Sequence, residues 1–409
     1  MTLALPIYLD YNATTPVDPR VFEAMSPYFT RVFGNAASRT HAFGREAEAA
    51  VLHARNQVAG LLNAEQDERH GAREIIWTSG ATEANNLAIK GVADACREKG
   101  RHLITQTTEH KAVLDPCKRL AEQGWDVTVL PVDRAGRVSA RQVADAIRAD
   151  TVLVSIMYAN NEVGTVQPIR EIGAICKERG VIFHTDATQA VGKLPIDVQA
   201  DGIDLLSLSA HKLYGPKGVG ALYVRKKNPR VRLTPLFDGG AHERGFRSGT
   251  LNVPGIVGLG LACELAAHEL VNERLRLSAL RDRLQSSLTH RVGPVVVNGD
   301  ERNRLPHVAN LSFPGLDGTS LLNALDDVAV SSGSACTSAS LAASHVLMAM
   351  GLGDDLAHTA IRFSLGRFTT LEEIDYVVQK FAAVVPRLRN EHGADCGTCE
   401  PRSDLRTVS

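Results

Sequence analysis

The sequence predicts an α/β protein with a mainly parallel sheet of seven strands flanked by helices, followed by a smaller α+β domain. Between residues 73 and 226, short runs rich in Val, Ile and Leu alternate with longer helix-like stretches, a pattern typical of a doubly wound sheet. The last two runs are joined by a Gly- and Pro-containing turn too short for a crossover helix, so we expect them to pair antiparallel. A long helical pattern then leads into a second, smaller set of strands and helices.

The predicted strands of the large sheet are short and apolar, which is typical of strands buried on both faces. They are Glu74–Thr78, His102–Gln106, Val127–Leu130, Val152–Met157, Val181–His184, Leu205–Leu208 and Gly220–Val224. Amphipathic patterns over Ala84–Lys99 and Ile169–Arg179 predict helices between them.

The second set predicts a small domain after the large one. It comprises a helix over Val257–Arg291, strands over Val295–Asn298, Val308–Phe313 and Ile361–Ser364, and a helix over Leu371–Leu388. We therefore predict a large domain over residues 16–262 and a small domain made of residues 1–15 and 263–389. Residues 390–409 are polar and charged, and we expect a flexible tail there.

Composition argues against several classes of function. The 409 residues are 44% hydrophobic and 22% charged with a net charge of −1, so no long-range field favours nucleic acid or an anionic membrane. No apolar stretch is expected to reach the roughly 18–20 residues of a membrane span, and no secretory signal pattern is visible. Seven scattered cysteines do not resemble a disulfide framework, which favours a reducing cytoplasm.

Chemically active side chains follow five predicted strands in succession. Ligands of open parallel sheets bind beyond the carboxyl ends of the strands, so these residues form a candidate site. They are Ser79–Glu83, Glu109 and His110, Asn160–Glu162, Asp186 with Gln189, and Ser209–Lys212.

Two of these segments suggest a phosphate site and a reactive amine. Residues Ser79–Thr82 precede a helix, where backbone N–H groups and the helix dipole favour an anion, although an ordinary helix cap is an alternative. Lys212 follows an apolar strand, and a partly desolvated lysine can form an imine with an aldehyde. The alternative is that Lys212 and the nearby Lys217 are both solvated loop residues.

Each remaining candidate has a functional and a structural interpretation. Asp186 needs a cationic partner such as a pyridinium nitrogen, or else it caps a helix. His110 could stack on a flat ring or exchange protons, or be structural. Asn161 and Gln189 could bond a ring oxygen or a substrate carboxylate, or stabilise turns. Arg362, in an apolar strand, matches a carboxylate or phosphate, or a structural ion pair.

Cys336 differs from the other cysteines because it lies in a run of small and hydroxylic residues, 331–340. Such a run buries little, so we expect a mobile loop with an exposed, reactive thiol. Four other cysteines lie in predicted helices, where a packing role is expected; they are Cys96, Cys117, Cys176 and Cys263. Cys396 and Cys399 form a lone CxxC, a weak signal for zinc or redox chemistry.

Together these residues resemble the cysteine desulfurases of the NifS/IscS type, in the class V aminotransferase group of pyridoxal-phosphate enzymes. The resemblance extends from Tyr8 to about Leu388. Its specific segments are Tyr8–Pro16, Thr78–Glu83, Glu109–Ala112, Asn160–Gly164, Asp186–Gln189, Ser209–Lys212, Arg247–Thr250 and, most specific, Ser331–Ser338.

The resemblance implies an aspartate-aminotransferase-like large domain and a role for each matching residue. Lys212 would bind the cofactor covalently and act on the substrate Cα proton, and Cys336 would take the sulfur of L-cysteine as a persulfide and leave alanine. Asp186 would contact the pyridine nitrogen, Gln189 would contact the ring hydroxyl, and His110 would stack on the ring. The phosphate would be bound by Ala81, Thr82, Ser209 and His211, together with Thr250 of a neighbouring subunit. The substrate carboxylate would be bound by Asn161 and Arg362.

The resemblance also implies partners. It implies a homodimer and a protein acceptor of the sulfur, such as a scaffold for iron–sulfur assembly in housekeeping or in nitrogen fixation. Family members can hold a [2Fe-2S] cluster transiently through the loop cysteine, which makes Cys336 a candidate metal ligand. The tail after residue 390 departs from the expected scaffold-docking pattern, so the acceptor is left open.

Two other functions are compatible with parts of the sequence. An ordinary aminotransferase would share Lys212 and Asp186 but would not need a reactive thiol at Cys336. A non-catalytic iron–sulfur carrier would use Cys336 with Cys396 and Cys399 and would not depend on Lys212.

Overall fold

The computed structural model describes residues 3–66, 72–227, 230–332 and 343–395. The strands in these ranges are β1 (Ile7–Tyr8), β2 (Ile75–Thr78), β3 (His102–Gln106), β4 (Asp126–Leu130), β5 (Thr151–Ser155), β6 (Ile182–Asp186), β7 (Leu205–Ser209), β8 (Gly220–Val224), β9 (Val296–Asn298), β10 (Val308–Ser312), β11 (Val328–Ala329), β12 (Ser331–Ser332) and β13 (Ala360–Ser364).

Helices surround and connect these strands. They are α1 (Pro19–Met25), α2 (Pro27–Thr30), α3 (Ala42–Leu61), α4 (Ala81–Ala95), α5 (Lys111–Glu122), α6 (Ala140–Ala146), α7 (Ile169–Arg179), α8 (Val253–Arg291), α9 (Gly318–Asn323), α10 (His345–Ala349), α11 (Asp354–His358) and α12 (Leu371–Asp395). Short 3-10 turns cover Ala210–Lys212 and Glu243–Gly245.

The central sheet has seven strands in the order β2-β8-β7-β6-β5-β3-β4. Its neighbours are parallel from β7 through β6, β5 and β3 to β4. Strand β8 runs antiparallel to both β2 and β7, because the turn between β7 and β8 is too short for a crossover helix. The predicted fold class and the antiparallel pair are therefore confirmed.

Most predicted strands differ from the observed ones by only one or two residues at each end. All side chains of β3, β5, β7 and β8 are buried, which explains why they read as continuous apolar runs. Helix α4 begins at Ala81 and not at the predicted Ala84, because Gly80 serves as its N-cap. Helix α12 continues past the predicted Leu388 to Asp395.

Helix α8 corrects the expectation that no apolar stretch in this chain reaches the length of a membrane span. Over the described residues it is long and apolar enough by composition to cross a membrane, but half of its most apolar window is buried within the protein. It packs closely on α3: a Cβ on Gly260 would lie 2.6 Å from the Cα of Ala54. This contact identifies the apolar part of α8 as a helix of the protein core.

A second sheet, in the order β12-β13-β10-β9, follows the long helix. Its core contains the packed rings of Phe313, Phe363 and Phe381, which are tilted against one another. The N-terminal segment returns to this part of the protein, since β1 pairs with β11 and Asp10 forms a bridge to Ser364 at the end of β13. The division into two domains at residues 15, 262 and 389 stays a prediction.

Candidate active site

A cavity of about 680 Å³ lies at the carboxyl ends of the central strands, where the sequence analysis expected a ligand. Ten of the twelve predicted site residues line it: Ala81, Thr82, His110, Asn161, Asp186, Gln189, Ser209, His211, Lys212 and Arg362. Thr250 does not line it. Cys336, Cys396 and Cys399 lie outside the described residues.

Asp186 is fixed at the end of β6 by two hydrogen bonds. Its Oδ1 accepts from the backbone N–H of Thr188 at 3.0 Å, and its Oδ2 accepts from Nδ2 of Asn85 at 2.7 Å. The side chain is almost fully buried yet borders the cavity. A buried carboxylate with only neutral hydrogen-bond donors is suited to a cationic group of a ligand.

Lys212 extends from the turn after β7 into the same cavity. Its Nζ donates to the backbone carbonyls of Asn12 at 2.5 Å and Ala13 at 2.7 Å. A second lysine, Lys193, is buried behind it and donates to the carbonyl of Lys212 at 2.6 Å. Burial lowers the pKa of Lys193 to about 8. The backbone at Lys212 is therefore held from behind while its amine faces the cavity.

The turn before α4, where the sequence analysis expects an anion, has a tightly constrained backbone. Gly80 has a φ of 156°, so a residue with a side chain would be strained at this N-cap. Gly220 is required beside it, because a Cβ there would lie 2.7 Å from the Cα of Gly80. Glu83 accepts from the backbone N–H of Ser79 at 2.7 Å and pairs with Arg247 at 2.8 Å. The turn that presents the backbone N–H groups at the start of α4 is thus firmly held, a geometry suited to an anion.

His110 and His211 are both biased toward the neutral form. His110 caps α5, and its Nδ1 accepts from the backbone N–H of Ala112 at 3.0 Å. Desolvation lowers the pKa of His110 most strongly; the charge of Asp186 opposes this effect, and the charge of Lys212 adds to it. Desolvation and nearby lysines lower the pKa of His211 to about 4. A neutral ring at His110 can stack on a flat ligand, and a neutral His211 can donate one hydrogen bond.

Arg362, from the centre of β13, also lines the cavity. Its guanidinium donates to the backbone carbonyl of Asn161 at 3.0 Å and pairs with Asp10 at 2.6 Å. Nδ2 of Asn12 donates to the same carbonyl of Asn161 at 3.0 Å. The loop after β5, the small sheet and the N-terminal segment therefore meet around Arg362.

The residues fit a flat, anionic cofactor such as pyridoxal phosphate. Buried polar atoms in or beside the cavity wall have no hydrogen-bond partner among the described residues, notably Oε1 of Gln189 and Oγ1 of Thr188. Together with the carboxylate of Asp186, the amine of Lys212 and the backbone N–H groups at the start of α4, they offer hydrogen-bonding and charged partners to such a cofactor. No group of three or more metal-ligating side chains occurs in the described ranges.

The four cysteines that the structure describes are unsuited to nucleophilic chemistry. Cys117, Cys176 and Cys263 are buried in helices as predicted, and Cys96 is half-buried at the end of α4. Burial raises the pKa of all four thiols, that of Cys117 to about 12. These thiols stay protonated at neutral pH and serve as packing groups.

Sequence reasoning missed several residues that shape the site. Asn85 orients Asp186, and Asp10, Asn12 and Thr14 reach the cavity from the N-terminal segment. Asn85 lies one turn into the helix after the anion site, a position that could have identified it. The other three lie in the segment Tyr8–Pro16 that carries part of the resemblance, but nothing local indicates that they reach the cavity, since their place there depends on the pairing of β1 with β11.

Thr250 is exposed and lies in the segment that follows the turn Glu243–Gly245. Arg247 in this segment is tied to Glu83 beside the anion site. The carboxylate of Glu243 is buried and bound by both terminal nitrogens of Arg55, each at 2.7 Å. The segment is thus firmly attached while Thr250 faces outward.

Comparison with known proteins gives concordant similarities. A family model described as aminotransferase class-V matches residues 7–377. The chain is 58% identical over 387 residues to a protein named cysteine desulfurase IscS from Anaeromyxobacter dehalogenans (strain 2CP-C), covering 95% of this chain and 94% of that protein. It is 54% identical to the protein of the same name from Rickettsia africae (strain ESF-5), with 95% and 93% covered. A solved structure described as a NifS-like protein superposes with a TM-score of 0.86 at 40% identity, covering 94% of this chain and all of that one.

Proposed function

This chain belongs to the aminotransferase class-V family, and from that premise we propose which residues carry out its reaction. The chain is a pyridoxal-phosphate-dependent cysteine desulfurase, which takes sulfur from L-cysteine, leaves L-alanine and passes the sulfur to an acceptor. The observation that supports the assignment of residues most strongly is that Lys212, Asp186 and Arg362 line one cavity.

The proposed cofactor contacts follow from this cavity. Lys212 would hold the cofactor covalently, Asp186 would keep a proton on the pyridine nitrogen, and Gln189 would bond the ring hydroxyl. The ring of His110 would stack on the cofactor. The phosphate would be bound by Ala81, Thr82, Ser209 and His211 at the start of α4 and the end of β7.

When bound, pyridoxal phosphate supplies an electron-withdrawing ring that permits loss of the substrate Cα proton and weakens the C–S bond. The amine of Lys212 would receive that Cα proton. Arg362 and the side chain of Asn161 would hold the substrate carboxylate, which orients the Cα–H bond toward Lys212. The chain thus contributes orientation and proton transfer, and the cofactor contributes the electron sink.

Cys336 is the proposed sulfur acceptor. Its thiolate would attack the sulfur of the bound cysteine, forming an S–S bond as the C–S bond breaks, which leaves alanine and a persulfide on the enzyme. The high pKa values of the four described thiols support this choice, because a thiol that stays protonated is a poor nucleophile. Cys336 is also the candidate ligand for a transient [2Fe-2S] cluster.

The assembly and the partners are proposed as follows. A homodimer would bring the exposed Thr250 of one subunit to the phosphate site of its neighbour, and would cover exposed rings such as Phe33 and Phe43. The sulfur acceptor would be an iron–sulfur scaffold protein of housekeeping or nitrogenase assembly. We place the enzyme in the cytoplasm, where a reduced thiol at Cys336 is maintained.

Two variants test these roles separately. In Lys212→Ala, the near-violet absorbance of the lysine-bound cofactor should disappear. If the protein were an iron–sulfur carrier, or if another lysine held the cofactor, this substitution would not remove the absorbance. In Cys336→Ser, cofactor absorbance should persist while the persulfide, measured by mass spectrometry after loading with labelled L-cysteine, is lost. Cys117→Ser is the matched control, and in this variant the persulfide on Cys336 should still form. Sulfide release that survives intact in Cys336→Ser would refute the assignment of the acceptor thiol.

A further inference from the structure

Arg362, the proposed holder of the substrate carboxylate, is already engaged by a carboxylate of the protein. Oδ1 of Asp10 lies 2.6 Å from a terminal nitrogen of Arg362, and the other terminal nitrogen donates to the carbonyl of Asn161 at 3.0 Å. The Arg362 side chain is only 6% exposed, whereas that of Asp10 is 21% exposed. Both residues line the cavity, so Asp10 presents one face to Arg362 and leaves another open to a ligand.

The position of Asp10 is set by the backbone and does not depend on the ion pair alone. Its carbonyl accepts from the N–H of Ala13 and from the hydroxyl of Tyr8, each at 3.0 Å. The next residue, Tyr11, donates its N–H to the carbonyl of Ser364 at the end of β13 at 3.2 Å. The carboxylate is therefore held beside the strand that carries Arg362 and cannot easily move out of the cavity.

This ion pair sets the charge of the cavity wall around Arg362. Asp10 and Arg362 together are neutral, and the side chains beside them, Asn12 and Asn161, are uncharged amides. Glu162, which follows Asn161 in the chain, is buried and does not line the cavity; burial raises its pKa, opposed first by the hydrogen bond from the Ser344 hydroxyl and more weakly by the charge of Arg362. Two N–H donors of Arg362 are used, so its terminal nitrogens retain donors for one substrate carboxylate.

We propose that Asp10 is a specificity-determining residue, whose carboxylate orients Arg362 for one substrate carboxylate and repels amino acids that carry a second negative charge. The proposal rests on the proposed function, since it takes Arg362 as the carboxylate holder. A small amino acid with a neutral side chain binds beside an ion pair that has no net charge. The side-chain anion of an acidic amino acid would instead lie against the open face of Asp10 and be repelled by it. Like charges placed together oppose binding, and they act more strongly in a desolvated cavity.

The test compares two probes that differ in side-chain charge. L-Alanine has the α-carboxylate and a neutral side chain, and L-cysteate adds a sulfonate at the position of the substrate sulfur. Binding of each to the holoenzyme would be measured by calorimetry in the unmodified protein and in Asp10→Asn. We expect the ratio of the Kd of L-cysteate to that of L-alanine to fall by about tenfold in Asp10→Asn, which corresponds to about 1.4 kcal/mol.

The ratio separates charge repulsion from a merely structural role, because disorder of Arg362 would weaken both probes alike. Asp327→Asn is the matched control: Asp327 pairs with Lys380 at 2.9 Å and does not line the cavity, so the ratio should not change. If Asp10→Asn fails to fold, Asp10→Ser serves the same measurement. An unchanged ratio in either folded Asp10 variant overturns the proposal. Persulfide formation from L-cysteine in the unmodified enzyme tests the proposed function independently of this ratio.

Discussion

Glu109 offers a test of how the buried site responds to pH. The side chain is fully buried next to the cavity, and its Oε1 accepts from the N–H of Met157 at 2.5 Å and from Nε2 of Gln106 at 3.1 Å. Burial, reinforced by the charge of Asp186 and opposed by the Met157 N–H, raises the pKa of Glu109 from 4.5 to about 8. We therefore consider Glu109→Gln, which keeps the shape and the accepting oxygen but cannot ionise.

The magnitude follows from the two pKa values. Between pH 4.5 and pH 8 the folded protein keeps the Glu109 proton while the unfolded chain has lost it. A raised folded-state pKa means that the associated stability is fully present below pH 4.5 and is lost as pH rises toward 8. The free energy of unfolding should fall by about 1.4 kcal/mol per pH unit from this residue alone. Over the full interval the loss approaches about 5 kcal/mol.

The assay is denaturant unfolding of the holoenzyme at pH 5, 6, 7 and 8. The difference in unfolding free energy between Glu109→Gln and the unmodified protein should grow in favour of the variant, by about 1.4 kcal/mol for each pH unit. Other titrating groups cancel in this difference. Glu23→Gln, which removes an exposed carboxylate from α1, is the control and should give a small, nearly constant difference. A constant difference for Glu109→Gln across this range would refute a proton held by Glu109 in the folded protein.

Three further variants test the scaffold of the site. Glu243→Gln should destabilise the protein by about 3–5 kcal/mol, seen as a lower denaturation midpoint, because it leaves the buried charge of Arg55 without its partner. Gly220→Ala places a Cβ 2.5 Å from the carbonyl of Leu208 and should cost about 1–3 kcal/mol through overpacking. It should also weaken retention of pyridoxal phosphate during dialysis. Phe381→Ala removes a buried ring that packs against two others and should cost about 3–5 kcal/mol in thermal or denaturant unfolding.

The sheet was predictable because its strands carry a simple, local signal. Strands buried on both faces require continuous apolar side chains, so β3 and β8 were predicted with the bounds that the structure shows. The start of α4 was predicted three residues late, since the apolar pattern begins after the cap and only the geometry of Gly80 marks the true start. The position of a cap or a turn depends on the backbone conformation of one residue, and the periodic pattern of apolar residues does not indicate that conformation.

The candidate site was predictable to the extent that the strand ends defined it. Asp186 is the last residue of β6 and His110 lies four residues beyond the end of β3, and the rule for parallel sheets brings both to one edge. Lys212 shows where this reasoning stops. Its amine is held by carbonyls from residues about 200 positions away, Asn12 and Ala13, which reach it only because the N-terminal segment crosses from the small sheet to the cavity.

The same crossing explains why Asp10 was not predicted. Asp10 lies in the segment Tyr8–Pro16 that carries part of the resemblance, but no pattern there assigns it a role, and Arg362 is 352 positions away in the sequence. The sequence analysis weighed a ligand carboxylate against a structural ion pair for Arg362 and treated them as alternatives. The structure shows the ion pair, and it places the pair in the wall of the cavity. The two interpretations are therefore compatible: an arginine oriented by one fixed carboxylate is better prepared to bind a second one from the substrate.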